Sequence, residues 1–244
     1  MFRHHMKTVL HPASERGSAN HGWLQSQHSF SFANYYNSEK MNFGLLRVLN
    51  DDTVAPGKGF GKHPHDNMEI VSIPLSGDLE HQDSMGNKTI IKEGEIQAMS
   101  AGTGIFHSEF NASQSQEVKF LQIWIFPREK DVSPRYDQIQ LPDLVRTDTL
   151  HQVLSPKESD AGIWVHQDAW FNMGTFKKGS HEVYSVKRPQ NGAYLFVING
   201  SFEISGQQLN KRDALGCWET DSVSLKSLEN GSRILIIDVP MNLG

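Results

Sequence analysis

The sequence predicts an all-β protein made of two β-barrels in tandem, and three observations lead to this fold class. Signals for helices are sparse. Most apolar segments are short, rich in Val, Ile and Phe, and bounded by Gly, Asn, Asp or Ser, which is typical of the strands of a sandwich or barrel. A weak repeat relates the two halves of the chain, and the polar, proline-containing segment REKDVSPRYDQIQLPDL lies between them.

Short apolar segments predict the strands in chain order. The predicted strands span residues 44–50, 68–74, 78–83, 88–92, 96–100, 117–126, 163–165, 169–176, 182–186, 193–198, 202–205, 214–218, 223–225 and 234–239. Met85, Gly86 and Asn87 separate two of these strands and predict a hairpin turn, because Gly and Asn tolerate positive φ.

The internal repeat sets the expected domain boundaries. The segment IVSIPLSGDLEH around Gly77 resembles YLFVINGSFEIS around Gly200, and KFLQIWIFP before Arg128 resembles RILIIDVP before Met241. We therefore predict an N-terminal domain of residues 1–130, a linker of residues 131–146 and a C-terminal domain of residues 147–244. One large β domain with an accidental internal similarity is the alternative.

Composition excludes several classes of protein. About a quarter of the residues are Leu, Ile, Val or Phe, above the roughly 20% below which a chain is usually disordered. The net charge of −5 argues against direct binding to nucleic acid. A single cysteine, Cys217, allows neither an internal disulfide nor a cysteine-based zinc site. The basic N-terminus precedes no apolar stretch, and no apolar run could span a membrane, so we expect a cytoplasmic protein.

Most of the twelve histidines have no paired spacing. A lone histidine is more often a surface or hydrogen-bonded residue than a metal ligand, and we apply that interpretation to nine of them. These are His4, His5, His11, His21, His28, His81, His151, His166 and His181.

Two segments differ, GKGFGKHPHDNME and SAGTGIFHSEFN. Side chains at positions i and i+2 of a strand face the same side, so His63 and His65 share a face, as do His107 and Glu109. If the two strands lie side by side, three imidazoles and a carboxylate converge inside a barrel, which suits a divalent metal. Pro64 belongs at a strand start or edge, and glycines before both motifs allow the chain to turn sharply.

These motifs resemble those of a known family. The first has the layout of the first cupin motif, from Gly57 through the two histidines to Glu69, and the second resembles the other cupin motif, with His107 followed by Asn111. Together with ANHGWLQSQHSFSFANYY and EHQDSMGN, they look like the pirin family, in particular the bacterial pirin-like proteins described as quercetin 2,3-dioxygenases. The resemblance covers nearly the whole chain.

The resemblance implies two tandem cupin domains, which are jelly-roll-like barrels, with one metal centre in the N-terminal domain. The C-terminal domain is expected to bind no metal. The repeat supports this expectation, because Gly200 corresponds to Gly77 and Pro240 corresponds to Pro127. The same intervals that lead back from Gly77 and Pro127 to the expected ligands can therefore be counted back in the second half. The counted positions, Val186, Arg188, Thr220 and Ser222, are not ligand types.

The residues alone leave two carboxylates open, Glu69 and Glu109. Ordinary cupins use the glutamate of the first motif, whereas pirins use the one two residues after the second-motif histidine. The resemblance therefore implies Glu109 as the fourth ligand beside His63, His65 and His107. Glu69 is then a strand glutamate that faces polar neighbours or supports a ligand.

Nitrogen and oxygen ligands without sulfur suit Fe, Ni, Cu, Mn or Zn, and Fe(II) is the family expectation. The resemblance implies a dioxygenase that opens the central ring of flavonols such as quercetin with O₂ and releases carbon monoxide, with Glu109 as the catalytic base. Phe60, Phe106 and Met68 lie near the ligands, either lining a pocket or packing in the core. The alternative function is a metal- or redox-dependent module that binds a protein partner, and a cupin isomerase that does not use O₂ is a third reading.

Overall fold

The computed structural model describes residues 6–242, so His4 and His5 lie outside the described part of the chain. Within residues 6–242 the chain forms 22 strands and two short 3₁₀ turns, at Ala13–Glu15 and Pro142–Leu144. No helix in this range is long and apolar enough to cross a membrane.

The strands before the middle of the chain build most of the first half. They are β1 (Lys7–His11), β2 (Gly17–Asn20), β3 (Leu24–His28), β4 (Leu46–Val54), β5 (Gly59–His65), β6 (Glu69–Ser76), β7 (Leu79–Asp83), β8 (Lys88–Ile91), β9 (Glu95–Ser100), β10 (Ile105–Asn111) and β11 (Val118–Ile125).

The remaining strands build most of the second half. They are β12 (Arg135–Gln140), β13 (His151–Ser155), β14 (Ile163–Trp164), β15 (Trp170–Phe176), β16 (His181–Ser185), β17 (Asn191–Asn199), β18 (Phe202–Ile204), β19 (Gln207–Leu209), β20 (Ala214–Trp218), β21 (Ser222–Ser227) and β22 (Ser232–Pro240).

Each half pairs a seven-stranded sheet with a four-stranded sheet. The first half has the strand orders β12-β9-β6-β11-β4-β3-β2 and β5-β10-β7-β8, and the second has β1-β20-β17-β22-β15-β13-β14 and β16-β21-β18-β19. The central strands correspond one to one between the halves. Gly77 and Gly200 occupy matching turns, and both have positive φ. The predicted all-β fold of two tandem barrels is confirmed.

Strand pairing departs from the predicted domain boundaries at two places. β1 lies at the N-terminus but pairs with β20 of the second large sheet. β12 lies within residues 131–146, predicted as a linker, but pairs with β9 at the edge of the first large sheet. Each large sheet therefore ends in a strand that the apolar segments of the sequence do not predict.

The two large sheets share one apolar core, because their facing sides pack against each other. This core contains side chains from both halves, including Leu49, Val71, Ile123, Phe171 and Tyr194, all fully or almost fully buried. The halves are therefore joined by a continuous hydrophobic layer and not only by the chain that connects them.

The inside of the first barrel is divided into two apolar clusters. One contains Leu24, Val54, Leu79 and Phe120, and the other contains Ile70 with its neighbours around Met99. Polar side chains lie between the two clusters, and they hold the candidate site described below.

Cys217 lies on β20 and is fully buried in the core of the second barrel. Burial raises the pKa of its thiol to about 12, so almost no reactive thiolate is present at neutral pH. We expect the native protein to resist a thiol reagent that labels the urea-unfolded chain within minutes. Rapid labelling of the native protein with loss of activity would contradict this expectation.

Candidate metal centre

The predicted histidine pair lies on β5, and the predicted partner lies on β10. The two strands are antiparallel neighbours, with His63 opposite His107 and His65 opposite Ile105. β5 is an edge strand of its sheet. Pro64 has no backbone N–H, and it is tolerated here because one side of an edge strand forms no hydrogen bonds with a neighbouring strand. Gly102 and Gly104 both have positive φ, which fits the sharp turn predicted before β10.

The three imidazoles converge. One ligand atom of each of His63, His65 and His107 lies within 4.8 Å of the others, and the ring centroids are 4.4–4.9 Å apart. Nδ1 of His63 lies 2.7 Å from the carbonyl oxygen of Gly61. A carbonyl oxygen can only accept a hydrogen bond, so Nδ1 carries the proton and Nε2 keeps a free lone pair.

Glu109 lies on the same face of β10 as His107, and only 2% of it is exposed. The hydroxyl of Ser72 donates to Oε1 over 2.9 Å, and the amide of Gln122 donates to Oε2 over 2.9 Å. The carboxylate of Glu109 belongs to a close cluster with His107 and His81, and not to the cluster of His63, His65 and His107. Two hydrogen bonds thus hold the carboxylate beside His107.

These residues fit a bound divalent cation. Both ring nitrogens of His107 are buried, and neither has a hydrogen-bond partner within residues 6–242. Burial and the neighbouring His63 and His81 lower the pKa of His107 to about 3, and burial with the neighbouring His107 and His63 lowers that of His65 to about 4. At neutral pH both rings are therefore neutral and have the lone pair that a metal requires.

The imidazoles lie at one wall of a cavity of about 260 Å³. The cavity lies between the free edge of the small sheet, formed by β5, and the free edge of the large sheet, formed by β2 with β3 beside it. Phe32, Phe60 and Trp124 line it and provide flat apolar surfaces. The arrangement suits an aromatic ligand held against a metal.

Comparison with known proteins places this site in a family. Residues 9–125 match the family model described as Pirin, and residues 152–239 match the model described as the quercetinase C-terminal cupin domain. The chain is 43% identical over 231 residues to a quercetin 2,3-dioxygenase of Escherichia coli, covering 95% of this chain and 98% of that protein. The chain belongs to the pirin family.

Solved structures agree with this assignment. The bacterial pirin YhhW of Escherichia coli in complex with nickel(II) matches with a TM-score of 0.91 and 41% identity, over 97% of this chain and 100% of that one. A quercetin 2,3-dioxygenase from Acinetobacter baumannii matches with a TM-score of 0.77 at 20% identity, over 96% and 86% of the two chains, which shows a shared fold.

Glu69, the alternative carboxylate for this pirin, lies on the other face of the sheet. It begins β6, and its carboxylate accepts a hydrogen bond from Ser100 over 2.7 Å. The backbone N–H of His166 and the guanidinium of Arg135 also lie near it, so it faces the seam between the two barrels. Glu69 belongs to neither histidine cluster.

We expect Glu69 to make stability depend on pH. Burial raises its pKa from 4.5 to about 7, so the folded state holds this proton more tightly than the unfolded state. The contribution of Glu69 to the free energy of unfolding is fully present below pH 4.5, and it is lost as the pH rises through 7. Glu69→Gln should therefore stabilise the protein by on the order of 3 kcal/mol at pH 8 and by almost nothing at pH 4.

Urea unfolding of both proteins at pH 4 and pH 8 measures this difference. Glu129→Gln is the control, because Glu129 is exposed. An equal effect of Glu69→Gln at the two pH values would show that folding does not raise the pKa of Glu69.

His81 is hydrogen-bonded, as the interpretation of a lone histidine allows, but it is not isolated. His81 is fully buried on β7, directly opposite Glu109 of β10. Its Nε2 donates to the Asp83 carboxylate over 2.8 Å, and its Nδ1 has no partner within the described residues. The ring centroid lies 5.5 Å from that of His107. The His81–Asp83 spacing of two residues on one strand face was the signal in the sequence.

His81 and Asp83 form a carboxylate–histidine pair that lies beside the proposed ligands His107 and Glu109. We expect His81→Asn to lower metal affinity by roughly 10–100-fold, because outer partners of a metal site usually contribute that much. Competition with a chromophoric chelator measures the affinity. His181→Asn, at an exposed position of the second barrel, is the matched control and should keep wild-type affinity.

The aromatic and methionine residues near the ligands have different locations. Phe60 lines the cavity. Phe106 points away from it and is 48% exposed, with the Lys62 ammonium 5.3 Å from its ring centroid. Met68 packs against the apolar cluster around Ile70.

The second barrel of this pirin has apolar residues where the first has its cluster. The β16–β21 pair corresponds to β5–β10, and its inward-facing pair is Tyr184 opposite Val223. Leu225 follows at the place of Glu109, and all three are buried in one hydrophobic cluster. The positions obtained by counting in the sequence, such as Arg188 and Ser222, are exposed, so the count was out of register with the barrel.

Proposed function

We propose that this pirin is a metal-dependent dioxygenase that opens the central ring of flavonols such as quercetin with O₂ and releases carbon monoxide. The observation that carries the proposal is the convergence of three imidazoles beside a buried glutamate at the wall of an aromatic-lined cavity. The name of the Escherichia coli relative, quercetin 2,3-dioxygenase, supports the same reaction.

In this proposal His63, His65 and His107 would hold the metal through ring nitrogens, and Glu109 would hold it through a carboxylate oxygen. We propose Fe(II), since a redox-capable ion with open positions can bind both an organic oxygen and O₂. Nickel, named for the relative YhhW, is also compatible with nitrogen and oxygen ligands, as are Cu, Mn and Zn.

The chain's own residues would prepare the substrate. Glu109 would accept the proton of the flavonol 3-hydroxyl, since its carboxylate is fixed by Ser72 and Gln122 and faces the cavity. Phe60 and Trp124 would cover the flat rings and exclude water from the reacting face.

An oxygen electrode tests the proposal. Protein loaded with Fe(II) is mixed with quercetin under air, and carbon monoxide is measured in the same sample. We expect stoichiometric O₂ uptake and carbon monoxide release, both lost in His107→Ala and in metal-free protein. Metal-loaded protein that binds quercetin but consumes no O₂ would overturn the dioxygenase proposal.

A further inference from the structure

A second group of polar side chains lines the cavity, on the wall that faces the imidazoles. Ser26 and His28 lie on β3, and Asn50 and Asp52 lie on β4. Ser26 is directly opposite Asp52, and His28 is directly opposite Asn50. Each of the four is only 2–3% exposed, and each lines the cavity. None of them belongs to the histidine clusters.

Hydrogen bonds fix how these side chains are presented. Nδ1 of His28 lies 2.9 Å from the amide oxygen of Asn50, which can only accept, so Nδ1 carries the proton and Nε2 is an acceptor. The hydroxyl of Ser26 donates to Oδ1 of Asp52. The described residues provide no donor to Oδ2 of Asp52, although this carboxyl group lines the cavity.

Burying these groups costs free energy unless a ligand satisfies them. Burial raises the pKa of Asp52 to about 7 and lowers that of His28. The apolar cluster of Leu24, Val54 and Phe120 lies directly beyond Asp52. Neither Oδ2 of Asp52 nor Nε2 of His28 belongs to the buried polar atoms without a partner, so both atoms are open to the cavity and can accept a hydrogen bond from a molecule in it.

We propose that Asp52 and His28 form a subsite that accepts hydrogen bonds from phenolic hydroxyl groups of the substrate. This inference rests on the proposed function. It places the 3-hydroxyl of a flavonol at the metal and the remaining hydroxyl groups of the flavonol at the wall formed by Asp52 and His28. A phenolic hydroxyl is a donor, which matches Nε2 of His28 and, above pH 7 where Asp52 is ionised, also Oδ2 of Asp52. Phe32 and Trp124 lie beside the subsite and suit the ring that carries the hydroxyl.

The subsite selects for hydroxylated rings. A site built to hydrogen-bond a hydroxyl rejects an analogue without it, because the buried acceptors are then left unpaired. Quercetin and 3-hydroxyflavone are a suitable pair of probes, because they share the 3-hydroxyl and differ in all the others.

Equilibrium binding in metal-loaded protein under argon tests the subsite without turnover. Both probes are titrated while tryptophan fluorescence is followed, since Trp124 lines the cavity. We expect wild-type protein to bind quercetin at least about tenfold more tightly than 3-hydroxyflavone, as one good hydrogen bond is worth about that factor. Asp52→Asn replaces the free acceptor and should bring the two affinities within about twofold of each other.

Two further variants complete the test. His28→Gln should also reduce the preference for quercetin, and it keeps the proposal testable if Asp52→Asn does not fold. Asp51→Asn is the matched control, because Asp51 is the neighbouring carboxylate on the other face of β4, where it pairs with Arg212. It should keep the wild-type preference.

The outcomes separate this inference from the dioxygenase proposal. A preference for quercetin that needs Asp52 supports the subsite even if O₂ is never consumed. Wild-type protein that binds both probes equally, that binds neither, or that keeps its preference in both Asp52→Asn and His28→Gln would overturn the subsite, whatever the oxygen electrode shows.

Discussion

Glu109→Gln is expected to lose its bound metal, whereas Glu69→Gln is expected to keep it. The substitution at Glu109 keeps the size of the side chain and an acceptor for one of the two donors Ser72 and Gln122, but it removes the carboxylate charge beside His107. We expect metal affinity to fall by at least roughly 100-fold, more than for the loss of an outer partner. Metal content after dialysis, measured by mass spectrometry, gives the result.

Glu69→Gln is the matched control for this experiment. It makes the same chemical change at a buried carboxylate of the first barrel, but on the face directed to the seam between the barrels. Circular dichroism should show that both variants are folded. If Glu69→Gln loses the metal and Glu109→Gln keeps it, the assignment of the carboxylate is wrong.

The histidine pairs could be predicted from the sequence because each lies within one strand. His63 and His65 lie on β5, and His107 and Glu109 lie on β10, so the two-residue period decides their faces locally. The register of β10 against β5 shifts between His107 and Glu109, but both stay buried inside the barrel.

The two-residue period does not predict which face Glu69 occupies, because β5 ends at His65 and Glu69 lies on the next strand. β5 ends at His65, Asn67 has a positive φ of 45°, and β6 begins at Glu69. A turn resets which face the next side chain occupies, so counting residues across it carries no information on the face. The resemblance to pirins, and not the count, favoured Glu109.

The partners of His81 and Asp52 on other strands could not be assigned from the sequence for a different reason. Their roles depend on which strands are neighbours: His81 meets Glu109 through the β7–β10 pair, and Asp52 meets Ser26 through the β3–β4 pair. Long-range pairing leaves no periodic signal in a single sequence.

Some strands were missed because their buried side chains are polar. β3, with the sequence LQSQH, buries Ser26 and His28 toward the cavity, so its alternation is not a hydrophobic one. β12 is an edge strand with partly exposed residues on both faces and shows no apolar period at all. A hydrophobicity pattern therefore does not predict β3, whose buried side chains line the cavity, or β12, which is an edge strand.

The first barrel is expected not to fold cooperatively without the second. A chain that ends at residue 133 contains all four proposed ligands, but it loses β12 and the second large sheet. It would expose one whole side of the shared core, including Leu49, Val71 and Ile123. β1 would also lose its partner β20.

The magnitudes support complete unfolding and not a modest loss of stability. Removing one large buried side chain costs about 2–5 kcal/mol, and a domain has only about 5–15 kcal/mol in total. The fragment uncovers many such side chains at once. We expect it to show no cooperative thermal transition, with or without added Fe(II), while the whole chain shows one.

A second fragment separates the two causes. A chain that ends at residue 146 regains β12 and its pairing with β9, but it still leaves the shared core uncovered. If the uncovered core dominates, this fragment also fails to fold, and only coexpression with residues 147–244 should restore a transition and metal binding. A fragment of either length that melts like the whole chain and keeps its metal would show that the first barrel is self-sufficient, so the second would need a role other than support.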